Sequence, residues 1–359
     1  MGGNSAGCFI HGIGTAVPGR VLTAEGNEQF LTAGCTSART AKLLQRVSRL
    51  TGIEKRHLAA LDFVGESTGG QPLYRPASEQ PRGPGMGART AVFDEAAAPL
   101  VREALATFPG DSLARVTQIV TASCTHASSP GLEQPVLANT AISRDVHRWN
   151  LGFMGCSAAL AAVRLVHGMS EATSLIVACE LSSLHFQYTD QIDQMTANVL
   201  FADGAAAMVL SPRPSPIRVV DCRCVTLPQF AEQMVWFAGD HGLQLRLSQD
   251  LAGTLAAHLR PVISRFLMDN DAEVETVAHW LVHPGGPQIL DAVTESLGLA
   301  PEALALSREV LRDYGNMSSP TIFFILKRMI EARKTGPAVA IAFGPGLTIE
   351  MVLLEVSAV

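Results

Sequence analysis

Three side chains of complementary chemistry, a thiol, an imidazole and a carboxamide, lie at turns of the sequence. Cys156 follows the turn Gly-Phe-Met-Gly at 152–155 and precedes an Ala-rich run of helix-forming residues. A cysteine at a helix N-terminus feels the positive end of the helix dipole, which favours its thiolate. Taken alone, a cysteine in this position is better explained as a small buried core residue.

The imidazole and the carboxamide occupy comparable places. His283 ends an apolar, strand-like run and precedes a Pro-Gly-Gly-Pro turn, where α/β folds place their sites, although a lone His on a strand is more often structural. Asn316 lies in Tyr-Gly-Asn-Met-Ser-Ser at 314–319, where an isolated Asn would be interpreted as a helix cap. Acyl transfer through a thiolate needs a nucleophile, a partner that activates it, and donors for an oxyanion. Together the three residues therefore predict thioester-based acyl transfer.

Composition excludes several classes of function. The chain has 359 residues, of which 47% are hydrophobic, and a net charge of -6 without clustered Lys and Arg. A nucleic-acid-binding face is therefore not expected, and an anionic substrate would need a local basic patch. The seven cysteines are scattered, and the one-residue spacing of Cys222 and Cys224 is too tight for a usual zinc site. We predict no metal site and free thiols in a reducing compartment.

The sequence contains neither a signal-peptide pattern nor an apolar run of about 18 residues. We therefore expect a soluble, cytoplasmic protein without a membrane segment.

Strands alternate with helices along the chain, and one layout occurs twice. The order strand, helix, reactive turn, helix, strand runs over 116–179 and again over 277–343. Two copies of one layout predict pseudo-two-fold halves that meet at a shared site. We place the halves at 1–211 and 212–359, with a Pro-rich linker at 211–216. Earlier in the chain the pattern predicts a strand at 8–15, a helix at 38–50, a loop at 65–89 and a helix at 93–107.

Four motifs resemble those of chalcone synthase-type, or type III, polyketide synthases of the thiolase superfamily. They are His-Pro-Gly-Gly-Pro at 283–287, Tyr-Gly-Asn-Met-Ser-Ser at 314–319, Phe-Gly-Pro-Gly-Leu-Thr at 343–348 and Leu-Phe-Ala-Asp-Gly-Ala-Ala-Ala at 200–207. The resemblance extends from about Gly12 to the C-terminus. It implies an α/β, thiolase-like fold with two pseudo-duplicated αβα layered halves. The motif at 343–348 favours the type III enzymes over the related ketoacyl-ACP synthase III.

The resemblance also implies roles for individual residues. Cys156 would take the starter acyl group from coenzyme A, and would pair with His283. His283 and Asn316 would hold the thioester carbonyl of malonyl-CoA as carbon dioxide leaves. No bound cofactor is implied, because the coenzyme A thioesters are substrates. The residues implied to line the substrate cavity are Phe201 as aromatic gatekeeper, His185, Leu245, Ser318, Gly344, Pro345 and Gly346.

Some positions depart from the family pattern. Leu245 stands where plant enzymes carry a second gatekeeper Phe, and His185 stands where they carry a small Thr. Ordinary core packing of Phe201 and a structural role for His185 are the alternatives. With a single aromatic gate residue and few aromatic residues overall, we expect aliphatic acyl starters to be preferred over aromatic ones. Lys55 and Arg56 lie in the segment implied to bind coenzyme A phosphates, with a solvated surface pair as the alternative.

The resulting hypothesis is decarboxylative Claisen condensation of an acyl thioester with malonyl-CoA, followed by cyclisation to a pyrone or resorcinol-type product. The alternative is a stand-alone ketosynthase that condenses once, or joins two β-ketoacyl chains on acyl carrier proteins into a pyrone. A non-catalytic subunit of the same fold is disfavoured because Cys156, His283 and Asn316 are all present. The resemblance further implies a homodimer in which the loop 127–131 reaches the neighbouring cavity.

Overall fold

A computed structural model of the chain describes residues 7–33, 35, 37–61, 72–125, 128–169 and 171–358. The strands in these ranges are β1 (Cys8–Ala16), β2 (Val21–Thr23), β3 (Lys55–His57), β4 (Gln118–Ser123), β5 (His147–Gly152), β6 (Ser174–Leu181), β7 (Asp203–Ser211), β8 (Ile217–Thr226), β9 (Met234–Gly239), β10 (Gly242–Leu247), β11 (His279–Val282), β12 (Gly336–Gly344) and β13 (Thr348–Val356). The helices are α1 (Ala24–Ala33), α2 (Ala38–Leu50), α3 (Met86–Leu105), α4 (Gly110–Leu113), α5 (Glu133–Ala138), α6 (Ala158–His167), α7 (Ile192–Leu200), α8 (Leu251–Met268), α9 (Pro287–Leu297), α10 (Ala305–Tyr314) and α11 (Thr321–Glu331).

Nine strands form one mixed sheet in the order β11-β12-β13-β8-β1-β7-β6-β4-β5. The strands at both ends of the sheet pair in parallel: β11 with β12 at one end, and β4 with β5 and β6 at the other. The strands between these ends are antiparallel, and β1 meets β8 over the three pairs from Cys8 with Val219 to Ile10 with Ile217. The linker at 212–216 joins β7 to β8. The division into halves at residue 211 stays a prediction, because both halves share this sheet.

Along each strand, successive side chains point to opposite faces of the sheet, and helices pack in a layer on each face. In β12, Ala338, Ala340 and Ala342 face a central cluster that contains α6 and α11. Val339 and Ile341 face an outer cluster with α8 and α9. The strands β4, β6 and β7 similarly pack an outer face against α3. Small side chains on the inner face let the two central helices approach the sheet closely. The predicted α/β layered architecture is therefore present.

Local sequence signals located some elements well and others poorly. The helix predicted at 38–50 is α2, whose Ser37 side chain accepts a hydrogen bond from Thr40 N at 3.1 Å. Helix α3 instead begins at Met86, seven residues before the predicted start, so the end of the predicted loop 65–89 is wrong. The reason is tertiary, since the buried Arg89 donates to carbonyl oxygens of Pro84, Leu184 and Phe186. Residues 62–71 of that predicted loop lie outside the described residues.

Across the described ranges, no helix has both the length and the apolar character needed to cross a membrane.

Candidate functional site

Cys156 lies in a 3₁₀ turn, Gly155–Ser157, that leads directly into α6. We call residues 152–157 the nucleophile turn. Its backbone takes left-handed angles, with φ of 58° at Phe153 and 61° at Gly155. A Cβ on Gly155 would lie 2.6 Å from Pro345 Cδ, so glycine is required for the close approach of the 344–346 loop. The predicted cavity residues Gly344 and Pro345 therefore pack against the nucleophile turn, whereas Gly346 N donates to Met234 O of the gate-side strand β9 at 3.2 Å.

The Cys156 side chain is buried and neutral in this structure. Hydrogen bonds from the side chains of Ser318 and Asn316 favour the thiolate, but burial outweighs them and raises the pKa of Cys156 to about 12, with Glu180 acting in the same direction as burial. Burial therefore opposes the thiolate that the helix dipole is expected to favour. The Ser318 and Asn316 side chains both belong to the Asn316 turn, so this turn lies close to the thiol.

Asn316 is fixed by the backbone on both sides. Its N–H donates to Leu200 O at 2.9 Å, and its carbonyl oxygen accepts from Ala202 N at 2.8 Å, which brings the turn against Phe201. Its side-chain Oδ1 accepts from Ser318 N at 2.8 Å. Because that oxygen is occupied, the amide nitrogen is the group left to face the Cys156 sulfur. Helix α11 begins only at Thr321, with Pro320 as its cap, so the interpretation of Asn316 as a helix cap is wrong.

His283 follows β11 and is 1% exposed. Its backbone N–H donates to Ile341 O at 2.8 Å, which places it beside the carboxyl end of β12. That end reaches the nucleophile turn, since a Cβ on Gly344 would lie 2.9 Å from Met154 O. Both ring nitrogens of His283 lack a hydrogen-bond partner among the described residues, and burial lowers its pKa to about 3. The expected pair between His283 and a Cys156 thiolate is therefore not formed in this structure.

A buried carboxylate that the sequence analysis missed supports the nucleophile turn. Glu180, at 1% exposure, accepts hydrogen bonds from Cys124 N, Thr125 N and Thr125 Oγ1 at 2.6–3.0 Å, and from Ser319 Oγ at 3.0 Å. Burial raises the pKa of Glu180, and these hydrogen bonds oppose the rise. The Cys124 sulfur in turn accepts from Gly155 N at 3.1 Å. An isolated Glu inside an apolar strand was the signal that could have identified it.

Phe201 and Leu245, the predicted gate residues, pack with Cys156 and Ala197 in one buried cluster. Leu245 lies on the antiparallel hairpin of β9 and β10, which we call the gate hairpin. Its cross-strand partner is Trp236. The Trp236 ring lies 5.7 Å from the Phe201 ring and 5.4 Å from the His185 ring, measured between centroids. The premise that the gate has a single aromatic residue is therefore wrong.

The structure places His185 next to this gate. It ends the 3₁₀ turn Ser182–His185 after β6 and is 7% exposed. It shares a small cavity with Phe201 and Trp236. Burial, together with the charge of Arg89, lowers the pKa of His185 to about 3, so the imidazole is neutral.

The two predicted coenzyme A-binding residues lie on opposite faces of β3. Lys55 is exposed, whereas Arg56 is 2% exposed. The Arg56 guanidinium donates to Asn198 O at 2.8 Å and Phe201 O at 2.6 Å, and also to Asn27 Oδ1. Burial lowers the pKa of Arg56 to about 10, and Asp203 opposes this shift. The prediction that Arg56 binds phosphate is therefore corrected: it supports the backbone of the gate residue Phe201.

A cleft of about 610 Å³ opens beside the gate. Leu200 and Leu247 line its inner end, while Gly285 and Gly286 contribute from the turn after His283. Helix α2 forms part of the rim, with Leu50 70% exposed. The cations on the exposed side of α2, which has no Asp or Glu, are Arg39, Lys42, Arg46 and Arg49. Their spacing of three and four residues places them along one helix face. Arg49 also forms an ion pair with Glu28 at 3.1 Å. This helix face is a local basic patch beside the cleft.

Two family models match successive parts of the chain. The model for FAE1/Type III polyketide synthase-like proteins matches residues 66–223, and the model for the C-terminal domain of chalcone and stilbene synthases matches residues 223–357. The Mycobacterium tuberculosis protein named alpha-pyrone synthesis polyketide synthase-like Pks18 is 30% identical over 287 residues, which span 75% of this chain and 73% of that protein.

Solved structures agree over almost the whole chain. The crystal structure of PKS-I from the brown alga Ectocarpus siliculosus superposes with a TM-score of 0.88 at 27% identity, covering 99% of this chain and 100% of that one. The C-terminal type III polyketide synthase domain of Steely1 from Dictyostelium superposes with a TM-score of 0.87 at 24% identity, covering 98% and 100%. At 24% identity, the similarity to the Steely1 domain supports the fold alone.

Proposed function

The chain belongs to the type III polyketide synthases, and we propose that it condenses an acyl starter on Cys156 with malonyl-CoA. It is a condensing acyltransferase with a thiolase-like fold, as the sequence predicted. The observation that carries the proposed chemistry is that Cys156 packs with Phe201 in one buried cluster, while the Asn316 and Ser318 side chains lower the pKa of its thiol against the effect of burial.

The first step loads the starter onto Cys156. Burial keeps the thiol protonated at neutral pH, so it must lose its proton as the acyl thioester arrives. The sulfur then attacks the thioester carbonyl, the bond from that carbonyl to the coenzyme A sulfur breaks, and the proton leaves with the coenzyme A thiol. The buried neutral imidazole of His283 is the proposed carrier of this proton, because its ring nitrogens have no partner among the described residues.

The second step forms the carbon–carbon bond. As malonyl-CoA loses carbon dioxide, the electrons of the breaking bond pass to its thioester carbonyl and produce an enolate. A neutral imidazole N–H of His283 and the amide N–H of Asn316 donate to this oxygen, each interaction contributing about 3 kcal/mol to transition-state stabilisation. The enolate carbon then attacks the acyl carbon on Cys156, and the bond from that carbon to sulfur breaks. The restored thiolate accepts the extended chain from coenzyme A.

We propose the cleft of about 610 Å³ as the entrance for coenzyme A thioesters, since it leads to Phe201 past Leu200 and Leu247. The phosphates would contact the basic face of α2 together with the exposed Lys55, in place of Arg56. A carrier protein with an acidic surface is a second proposed donor, because the same basic face and the exposed Leu50 lie at the rim. No resident cofactor is needed for either donor.

A homodimer and a reducing, cytoplasmic location complete the proposal. Strand β5 is an exposed sheet edge, and Trp149 and Phe153 beside it are 45% and 61% exposed. Exposed apolar side chains on an unpaired edge favour association with a second chain. Ala127, in the loop predicted to reach the neighbour, lies outside the described residues. The seven cysteines are all free, which favours a reducing compartment.

The proposed product is a pyrone or a resorcinol-type ring, and the relative from Mycobacterium tuberculosis is itself named for α-pyrone synthesis. The test is mass spectrometry of the products that the purified protein forms from malonyl-CoA and a panel of aliphatic and aromatic acyl-CoA starters. Products that are one or more two-carbon units longer than the starter are expected. Release of free starter acid alone, with malonyl-CoA intact, would contradict the proposal.

A further inference from the structure

Two buried imidazoles near the nucleophile, those of His283 and His185, have ring nitrogens without hydrogen-bond partners among the described residues. For His283 the malonyl thioester supplies the missing partner. For His185 both Nδ1 and Nε2 lack a partner among the described residues, at 7% exposure of the side chain. A buried polar group without a partner is unfavourable and points to a ligand that completes it.

The surroundings of His185 restrict what that ligand can be. The cavity beside it has about 10 Å³ available to the centre of a water-sized sphere, which is room for a single oxygen-sized group. Phe201 and Trp236 cover this space on the side of the gate. Ala197 and Phe201 belong both to this cavity and to the cluster around Cys156, so the cavity lies next to the surroundings of the nucleophile.

The other polar groups of the cavity are mostly occupied by the protein itself. Gln194 Oε1 accepts from Leu245 N, Ser183 Oγ donates to Asp203, and the Asn198 carboxamide is paired with the backbone of Gln187. Among the described residues of the lining, the fully buried side-chain atoms without a hydrogen-bond partner are the two ring nitrogens of His185 and Arg56 Nε, a donor on a guanidinium whose terminal nitrogens are already bonded. The free groups therefore suit an oxygen atom, and His185 alone can accept a proton from it as well as donate one.

We propose that His185 binds a ketone or enol oxygen of the polyketide chain held on Cys156 and thereby directs closure to an α-pyrone. This inference rests on the proposed condensation. In the closure, the enol oxygen of the distal ketone attacks the thioester carbonyl, the new carbon–oxygen bond forms, and the carbon–sulfur bond to Cys156 breaks. The enol proton, hydrogen-bonded to the imidazole, ends on the Cys156 sulfur. No oxidant, reductant or further reactant is consumed.

The test compares His185→Phe, which fills the space without hydrogen-bonding, with His185→Gln, which restores a donor and an acceptor. His11→Gln, at an exposed histidine outside the cavity, is the matched control. In the His11→Gln control, acylation of Cys156 and decarboxylation of malonyl-CoA should stay within about threefold of wild type, and the His185 variants are compared by the share of their condensation products that is pyrone. The pyrone fraction of the products should fall about tenfold in His185→Phe, in favour of linear acids or carbocycles, and recover in His185→Gln.

A pyrone fraction in folded His185→Phe equal to that of wild type would overturn the inference, as would a wild type that condenses without forming pyrone. Both results leave the proposed condensation standing, whereas a wild type that never acylates Cys156 contradicts the proposed function itself. A measurement independent of turnover is calorimetric binding of 4-hydroxy-6-methyl-2-pyrone. Its Kd should weaken about tenfold in His185→Phe or, if that variant does not fold, in the smaller His185→Leu. An unchanged Kd would count against the inference.

Discussion

The nucleophile turn and the gate hairpin border the same cluster around Cys156, but they present different groups to it. Hydrogen bonds hold both regions, including the one from Leu245 N to Gln194 Oε1 at 2.8 Å in the gate hairpin. The nucleophile turn is fixed by polar contacts, from Gly155 N to the Cys124 sulfur and from Cys124 N to the Glu180 carboxylate. The gate hairpin is a separate two-stranded sheet that meets the cavity through the apolar side chains of Leu245 and Trp236. Directed hydrogen bonds define positions closely, whereas apolar packing tolerates changes of shape. We therefore propose that the condensation chemistry depends on the nucleophile turn and that the choice of substrate depends on the gate hairpin.

The largest effect is expected where a polar contact of the catalytic turns is removed. Asn316→Asp keeps an oxygen for Ser318 N but loses the amide N–H that faces Cys156. We predict that malonyl-CoA decarboxylation falls about 10²–10³-fold, as for loss of one oxyanion donor. Release of carbon dioxide measures this, with Asn139→Asp on the surface as the control. A loss below about fivefold would show that Asn316 does not contact the developing enolate.

The second prediction concerns the protonation of the same turn. Burial raises the pKa of Cys156 to about 12 and lowers that of His283 to about 3, so both are neutral at pH 7 in the free protein. Below its pKa, a thiol gains thiolate about tenfold per pH unit. Iodoacetamide alkylation of Cys156 should therefore keep rising from pH 7 to pH 10. A plateau already reached near pH 6 would instead indicate a thiolate–imidazolium pair, which this structure does not contain.

The gate hairpin should respond in selectivity rather than in chemistry. Trp236→Ala removes the aromatic group between Phe201 and His185, which opens space for longer chains. We predict that kcat/KM for long aliphatic acyl-CoA rises relative to a short acyl-CoA by on the order of tenfold, because pocket shape discriminates at this level. Trp236→Phe is the conservative control. An unchanged ratio between the two starters would exclude the gate hairpin as the selectivity element.

The smallest effect is expected outside both regions, on the basic face of α2. Arg46→Glu reverses one exposed charge at the rim of the cleft, and the measured quantity is KM for acyl-CoA at low ionic strength. We predict a rise of roughly fivefold that shrinks with added salt, because exposed charges interact weakly and are screened. Arg115→Glu, on another exposed surface, should change little. Equal effects of both variants would indicate a nonspecific influence of net charge.

The two regions also differ in how far the sequence predicts them. Cys156 and Asn316 could be placed together because short motifs at the ends of strands and helices carry them, and in the structure the Asn316 side chain is close enough to lower the pKa of the Cys156 thiol. Trp236 could not be placed, since its position opposite Leu245 depends on the register of a hairpin. Arg56 was misplaced for a similar reason, because one step along β3 turns a side chain from solvent into the interior.

The helices show the same limit to what local sequence can predict. Helix α2 has its own cap at Ser37 and was predicted at its observed bounds, whereas the start of α3 depends on the tertiary contacts of Arg89. Glu180 lies between these cases, because its burial is predictable from an apolar strand but its partners at Cys124 and Ser319 are distant in sequence. Local signals therefore located the elements and the reactive turns, and long-range packing decided what surrounds them.

The central claim is that Cys156 carries the growing chain, and intact-mass measurement tests it most directly. Wild type and Cys222→Ala, which removes a half-buried free thiol, should each gain the mass of one acyl group from acyl-CoA. Cys156→Ala should keep its fold and gain none. Persistent acylation of Cys156→Ala at the wild-type level would contradict the account.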